Sequence, residues 1–226
     1  MKVKLIAITK YLDGDGTPEE LLEHAGRVCY RSQSQGNPGK FLQARIREGH
    51  ESLIEHASAT FEISGISRAC SHQLVRHRLA SYSQESQRYC DTGEWEPVIP
   101  SSILECGWAT SIFDKYMDRA KVLYEELREL GISKEDARFV LPNATPTRII
   151  VTMNFRSWRH FCTIRCDKQS QWEIRKLAIK ILNLLYEQAP SVFAGIWCNV
   201  KSTWESLERG YIDWPEPDQT YGADGR

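Results

Sequence analysis

Residues 57–64 read ASATFEIS, and their alternation decides the fold. Ala57, Ala59, Phe61 and Ile63 fall on one side, and Ser58, Thr60, Glu62 and Ser64 on the other. A period of two with one apolar side predicts a half-buried strand. Working outward, MKVKLIAITK at residues 1–10 reads as a first strand, and TRIIVTMNF at 147–155 as a more buried one. Between and around them lie helical patterns. Thr17 with Glu20 three residues on forms a capping box that opens a helix. A second helix covers Pro38 to Glu48 and stops at Gly49. The segment from Ser67 to about Arg78 also reads as a helix. A long amphipathic helix carries Ile112, Tyr116, Met117, Ala120, Leu123 and Leu127 at three- and four-residue spacing. The last runs from about Gln171 to Gln188, with Ile174, Leu177, Ile181, Leu184 and Leu185 on one face. No βαβ rhythm links these elements. The expectation is therefore α+β: a mixed sheet packed with long helices, in a single domain with helical lobes. That domain spans 1–205, and a polar tail at 206–226 is loose or used between subunits.

The chain has 226 residues and a net charge of −1, which suits one ordinary domain and argues against a binder of nucleic-acid polymers. Any basic site must be local, and so takes a small anion. MKVKLIAITK is too short and charged for a signal peptide, and no apolar run is long enough for a membrane span, so a cytoplasmic protein is expected. The seven cysteines form no C-x-x-C pair. Cys162 and Cys166 stand one helical turn apart, which fits either a metal pair or, preferably, two buried reduced thiols. The acidic turn at 13–16 lacks the later ligands of a calcium loop. HESLIEH, residues 50–56, has Ile54 where a zinc protease needs histidine. His24, His56, Trp158 and Trp172 read as structural.

The chemistry concentrates in RHRLASYSQESQRY, residues 76–89. A helix C-terminus favours cations by about 0.3–1 kcal/mol, which accounts for one or two of these charges. Two cations ~8 Å apart repel by roughly 2 kcal/mol at an effective dielectric near 20. If Arg88 folds back toward Arg76 and Arg78, the cluster requires an anion, and bidentate arginine contacts suit a phosphate. Ser86, Gln87 and Arg88 offer further donors for a phosphate or the polar edge of a base. A solvated basic helix end followed by a polar surface loop fits the same run. So does an RNA-binding helix, although no RNA-module signature accompanies it.

Arginine-histidine-arginine, seven residues, then Ser-x-Arg resembles the signature of the flavin-dependent thymidylate synthases. GHESLIEHASATFEI, SHQLVRHR, DARFVLPNATPTRIIVTMNFRSWRHF and IRCDKQSQWEIR resemble that family's blocks in the same order, to about residue 190. The resemblance implies a homotetramer with FAD sites built between subunits. It implies reductive methylation of dUMP to dTMP, with methylenetetrahydrofolate as carbon donor and NADPH as reductant through FAD. No cysteine nucleophile, metal or Rossmann glycine motif is required. Carried over by position, Gln73, Arg76, Gln84, Glu85, Ser86, Gln87, Arg88, Arg138 and Arg165 fall on dUMP-binding positions. Gln84 stands where some members have glutamate. His50, Ser52, Arg76, His77, Arg78, Asn154, Arg156 and His160 fall on FAD-binding positions; some members have asparagine at the last. Arg165 and Ser86 are the catalytic candidates. A fixed guanidinium stabilises charge developing on the pyrimidine without reorganising, and Ser86 positions or polarises the ring.

Overall fold

The computed structural model describes residues 1–14, 16–90 and 95–208. Four strands, β1 (Lys2–Ile8), β2 (Ser58–Ser67), β3 (Ser81–Gln84) and β4 (Pro146–Asn154), form one sheet in the order β1-β2-β4-β3. All three pairings are antiparallel, which corrects the expectation of a mixed sheet. Parallel neighbours need crossover units, and the sequence has no such rhythm. The α+β architecture stands as expected.

The alternation at 57–64 does what its period dictates. Ala59, Phe61 and Ile63 of β2 pair with Met153, Val151 and Ile149 of β4, and all six side chains are buried. Above this face lie α7 (Phe155–Arg165), α8 (Trp172–Gln188) and α9 (Pro190–Glu208). Trp158 of α7 is fully buried, meets Phe61 edge-on with ring centroids 5.1 Å apart, and donates its indole N–H to Ala59 O at 3.0 Å. The opposite end is closed by α1 (Pro18–Tyr30) and α2 (Pro38–Arg47). The capping box at Thr17 and Glu20 forms as read, and Gly49 follows α2 at φ +82°.

At Gly65 (φ +69°) the β2–β4 register shifts, and this bulge turns Ile66 and Ser67 both inward. Ser67 then caps α3 (Arg68–Leu74) by accepting from Cys70 N at 3.0 Å. Its own N–H and hydroxyl donate to the buried Glu173 carboxylate of α8, at 2.7 and 2.5 Å. The helix expected to reach Arg78 ends at Leu74. Tyr82 is the reason: its hydroxyl donates to Leu74 O (2.9 Å) and His77 O (2.7 Å) and holds the chain in a turn. The residues after that turn, read as loop, pair with β4 as the edge strand β3.

The remaining helices are α4 (Ser101–Leu104), α5 (Gly107–Glu129) and α6 (Lys134–Ala137). Only part of the predicted stripe on α5 is covered: Met117 and Ala120 are buried, as is the neighbouring Tyr124, whereas Ile112 and Tyr116 are exposed, together with Trp108 one turn earlier. The α9 helix was not read from the sequence. Of the expected polar tail, 206–208 complete α9, and 209–226 lie outside the described residues. Cys162 and Cys166 are both buried in the core, where burial pushes the Cys162 thiol well up from its ordinary value.

Candidate active site

The turn after α3 brings the arginine-histidine-arginine run against the C-terminal half of α7. Arg165 Nε donates to His77 Nε2 at 3.1 Å. His77 packs edge-on against Phe161 (4.9 Å) and His160 (6.2 Å). Burial, then the charge of Arg165 and the neighbouring His160, lower its pKa from 6.5 to about 4. The imidazole is therefore neutral near pH 7. Arg76 and Arg78 flank it with exposed side chains that have no hydrogen-bond or ion-pair partner among the described residues. Gln73 reaches across to Gln171 Oε1 at 3.4 Å, the same oxygen that caps α8.

A second group forms around residues 84–88. Gln84 Nε2 donates to Ser71 Oγ (3.0 Å) and Thr147 Oγ1 (3.2 Å), tying β3 to α3 and β4. Hydroxyls can reverse their roles, so glutamate, which accepts, also fits there. Arg68 Nη2 donates to Glu85 O at 2.8 Å, and Glu85 N donates to Arg148 O. Ser86 Oγ accepts from Arg88 N at 3.2 Å, which leaves its own hydroxyl proton available. Arg88 does not fold back toward Arg76 and Arg78. It pairs with Glu135 of α6 at 2.7 Å, and Arg138 donates to Glu135 O at 3.0 Å. Both partners of the Arg88 pair are about half exposed, so solvent screens it. Gln87 Nε2 and Arg68 Nε are buried donors without an acceptor among the described residues.

The third group lies at the turn after α2. Ser52 is exposed, and His50 Nδ1 bonds the Tyr30 hydroxyl at 2.8 Å. Arg156 pairs with Glu55 at 2.6 Å and approaches Glu51 at 3.8 Å. Asn154 spends its side-chain oxygen capping α7 at Ser157 N. The contacts thus link His77, His160 and Arg165, and separately Arg88 and Arg138 through Glu135. Among the described residues, no side-chain hydrogen bond or ion pair joins these two groups to each other or to the His50–Arg156 group, although Arg156 and His160 stand one turn apart on α7.

A family model described as "Thymidylate synthase complementing protein" matches residues 9–191. A flavin-dependent thymidylate synthase of Geobacter sulfurreducens is 46% identical over 194 residues, covering 80% of this chain and 84% of the relative. Those of Mycobacteroides abscessus and Mycobacterium tuberculosis are each 41% identical, over 222 and 223 residues. They cover 85% and 86% of this chain, and 88% and 89% of the relatives. The chain belongs to the flavin-dependent thymidylate synthase family.

Within that family assignment, several residues that sequence reasoning passed over hold the site's shape. Tyr82 pins the turn, Arg68 braces the 85–88 loop, and Gln171 fixes Gln73. Arg68 lies in the cluster leading to the arginine-histidine-arginine run, and an arginine at the first position of a short helix was the available signal. A cleft of about 610 Å³ lies elsewhere, between α1 and residues 31–38, lined by Tyr11, Glu23, His24 and Arg27 among others. It contains none of the candidate site residues of the flavin-dependent synthase reading.

Proposed function

We propose that this chain converts dUMP to dTMP by FAD-dependent reductive methylation, with 5,10-methylenetetrahydrofolate as carbon donor and NADPH as reductant. The observation that carries this reading is the family match over residues 9–191, which contains every candidate site residue. The chain's residues also fit the ligands. The partnerless guanidiniums of Arg76 and Arg78 suit the paired phosphates of FAD. The orphaned donors of Gln87 and Arg68 border the loop assigned to dUMP, where a nucleotide supplies the acceptors they lack.

FAD, when bound, supplies the redox chemistry that reduces the transferred carbon to a methyl group. The chain's own work is alignment and electrostatics. Arg165 keeps both terminal amines free of hydrogen bonds among the described residues, and these oppose the charge that develops on the uracil ring. Among the described residues no histidine or carboxylate is bonded to the Ser86 hydroxyl, so it orients the ring as a donor rather than attacking it. His50, Ser52, His77, Asn154, Arg156 and His160 complete the flavin set, and Gln73, Gln84, Glu85, Arg88 and Arg138 the nucleotide set. Binding then requires Arg88 and Arg156 to exchange or share their present carboxylate partners.

The same reading takes the protein as a cytoplasmic homotetramer with FAD sites between subunits and a catalytic domain over 1–205. The exposed Trp108, Ile112 and Tyr116 on one stripe of α5 support a subunit contact. No described helix is long and apolar enough to cross a membrane. The test is dTMP formation from dUMP, methylenetetrahydrofolate and NADPH, with and without added FAD. The protein should purify yellow or become active on adding FAD. A colourless protein that FAD does not reconstitute, and that makes no dTMP, would overturn the reading.

A further inference from the structure

The position of His77 points to a task beyond touching a cofactor. Its Nε2 accepts a hydrogen bond from Arg165 Nε at 3.1 Å. Only an imidazole with its proton on Nδ1 has a lone pair at Nε2 to offer. An arginine is always charged in a protein, so nothing around Arg165 is needed to ionise it. What the surroundings decide is its direction. We propose that His77 is a positioning residue for the methylation reaction: as the Nδ1-protonated neutral tautomer it orients the Arg165 guanidinium, leaving both terminal amines for the pyrimidine. This rests on the dUMP reading of Arg165 above.

The imidazole is itself held on several sides. Tyr82 donates to the His77 carbonyl at 2.7 Å and fixes the backbone of the turn. Phe161, fully buried, meets the ring edge-on at 4.9 Å and limits its rotation. Arg165 thus rests on a base whose own orientation the fold determines, a second-tier support of the kind that fixes reactive groups. The titratable and charged groups that face His77 are Arg165 and His160 from α7 and the Tyr82 hydroxyl from β3, with Arg76 and Arg78 beside it in the turn. Both α7 neighbours disfavour a second proton, which keeps the acceptor available. Once protonated, His77 has no lone pair to give and repels the guanidinium. The hydrogen bond is then lost.

The experiment compares wild type, His77→Gln and His77→Phe as FAD-loaded enzymes. Glutamine keeps an acceptor oxygen on a side chain of similar reach; phenylalanine keeps the ring and removes the acceptor. His77→Phe should lower kcat for dTMP, measured per bound flavin at saturating FAD, about 100-fold, the scale of a misplaced reacting group. His77→Gln should recover to within about tenfold of wild type. The acid limb of kcat near pH 4 should be present in wild type and absent in His77→Gln. Nitrogen-15 NMR of the wild-type holoenzyme should show the proton on Nδ1. Equal loss in both variants with flavin retained, or loss of flavin from both, would overturn the proposal. So would an Nε2-protonated ring. If wild type makes no dTMP, the function reading fails instead, and the NMR tautomer still decides whether His77 is the acceptor.

Discussion

Arg165 closes the last turn of α7, where the helix dipole favours a cation by about 0.3–1 kcal/mol. Arg165→Ala should abolish most dTMP formation while leaving FAD bound, which absorbance and product assays on one preparation will show; equal loss of both would reassign the residue to the cofactor. His77 gives a pH prediction. Its pKa falls from 6.5 to about 4 on folding, so the unfolded chain binds the proton more readily. The stability it contributes is complete above pH 6.5 and is lost as pH falls from 6.5 toward 4. Urea midpoints measured across that window should drop further for wild type than for His77→Gln. At this scale the arginine-histidine-arginine run stands out in the sequence because it is local and unusual. It did not show what those side chains touch. Arg88 finds Glu135 and Arg156 finds Glu55 across 47 and 101 residues of chain. Such pairings depend on how distant segments meet, which no short pattern encodes.

Elements with one dominant period were legible, and those ended by a distant contact were not. The strand at 57–64 and the capped α1 follow from spacing and end chemistry alone. The α3 helix was read too long because its stop comes from Tyr82, on a strand that forms only against β4. Two energetic predictions belong here. Removing the buried carboxylate with Glu173→Ala strands the Ser67 N–H and hydroxyl, each costing about 1–3 kcal/mol. It should also weaken dUMP binding, because Ser67 caps the helix leading into the site. Denaturant unfolding with a parallel dUMP titration tests both. Thr17→Ala removes a cap at the far end of the molecule. It should cost about 1 kcal/mol in the same unfolding measurement and leave the dUMP affinity unchanged.

For the whole molecule, the exposed stripe of α5 is the feature that a single chain does not explain. Trp108 is 84% exposed and Ile112 67%, on a helix whose opposite side is packed. Ile112→Lys should leave the fold intact and shift sedimentation toward smaller species, with flavin lost as the assembly dissociates. Unchanged sedimentation would place the subunit contact elsewhere. The sequence pattern marked Ile112 and Tyr116 as part of an apolar stripe, but spacing alone does not say whether a neighbouring helix or a second subunit covers them. That distinction needs the packed fold.

The thiols divide in a way that makes the molecule its own clock. Cys29, Cys90, Cys106 and Cys198 are exposed, whereas Cys70, Cys162 and Cys166 are buried. An aromatic disulfide reagent therefore reaches the last three only when the core opens. Cys162 stands on α7, the helix that also carries His160 and Arg165, and Cys166 is its C-cap. Their labelling rate times how often the floor of the site comes apart, with no probe introduced. Comparing that rate with and without dUMP shows whether the substrate holds the helix shut.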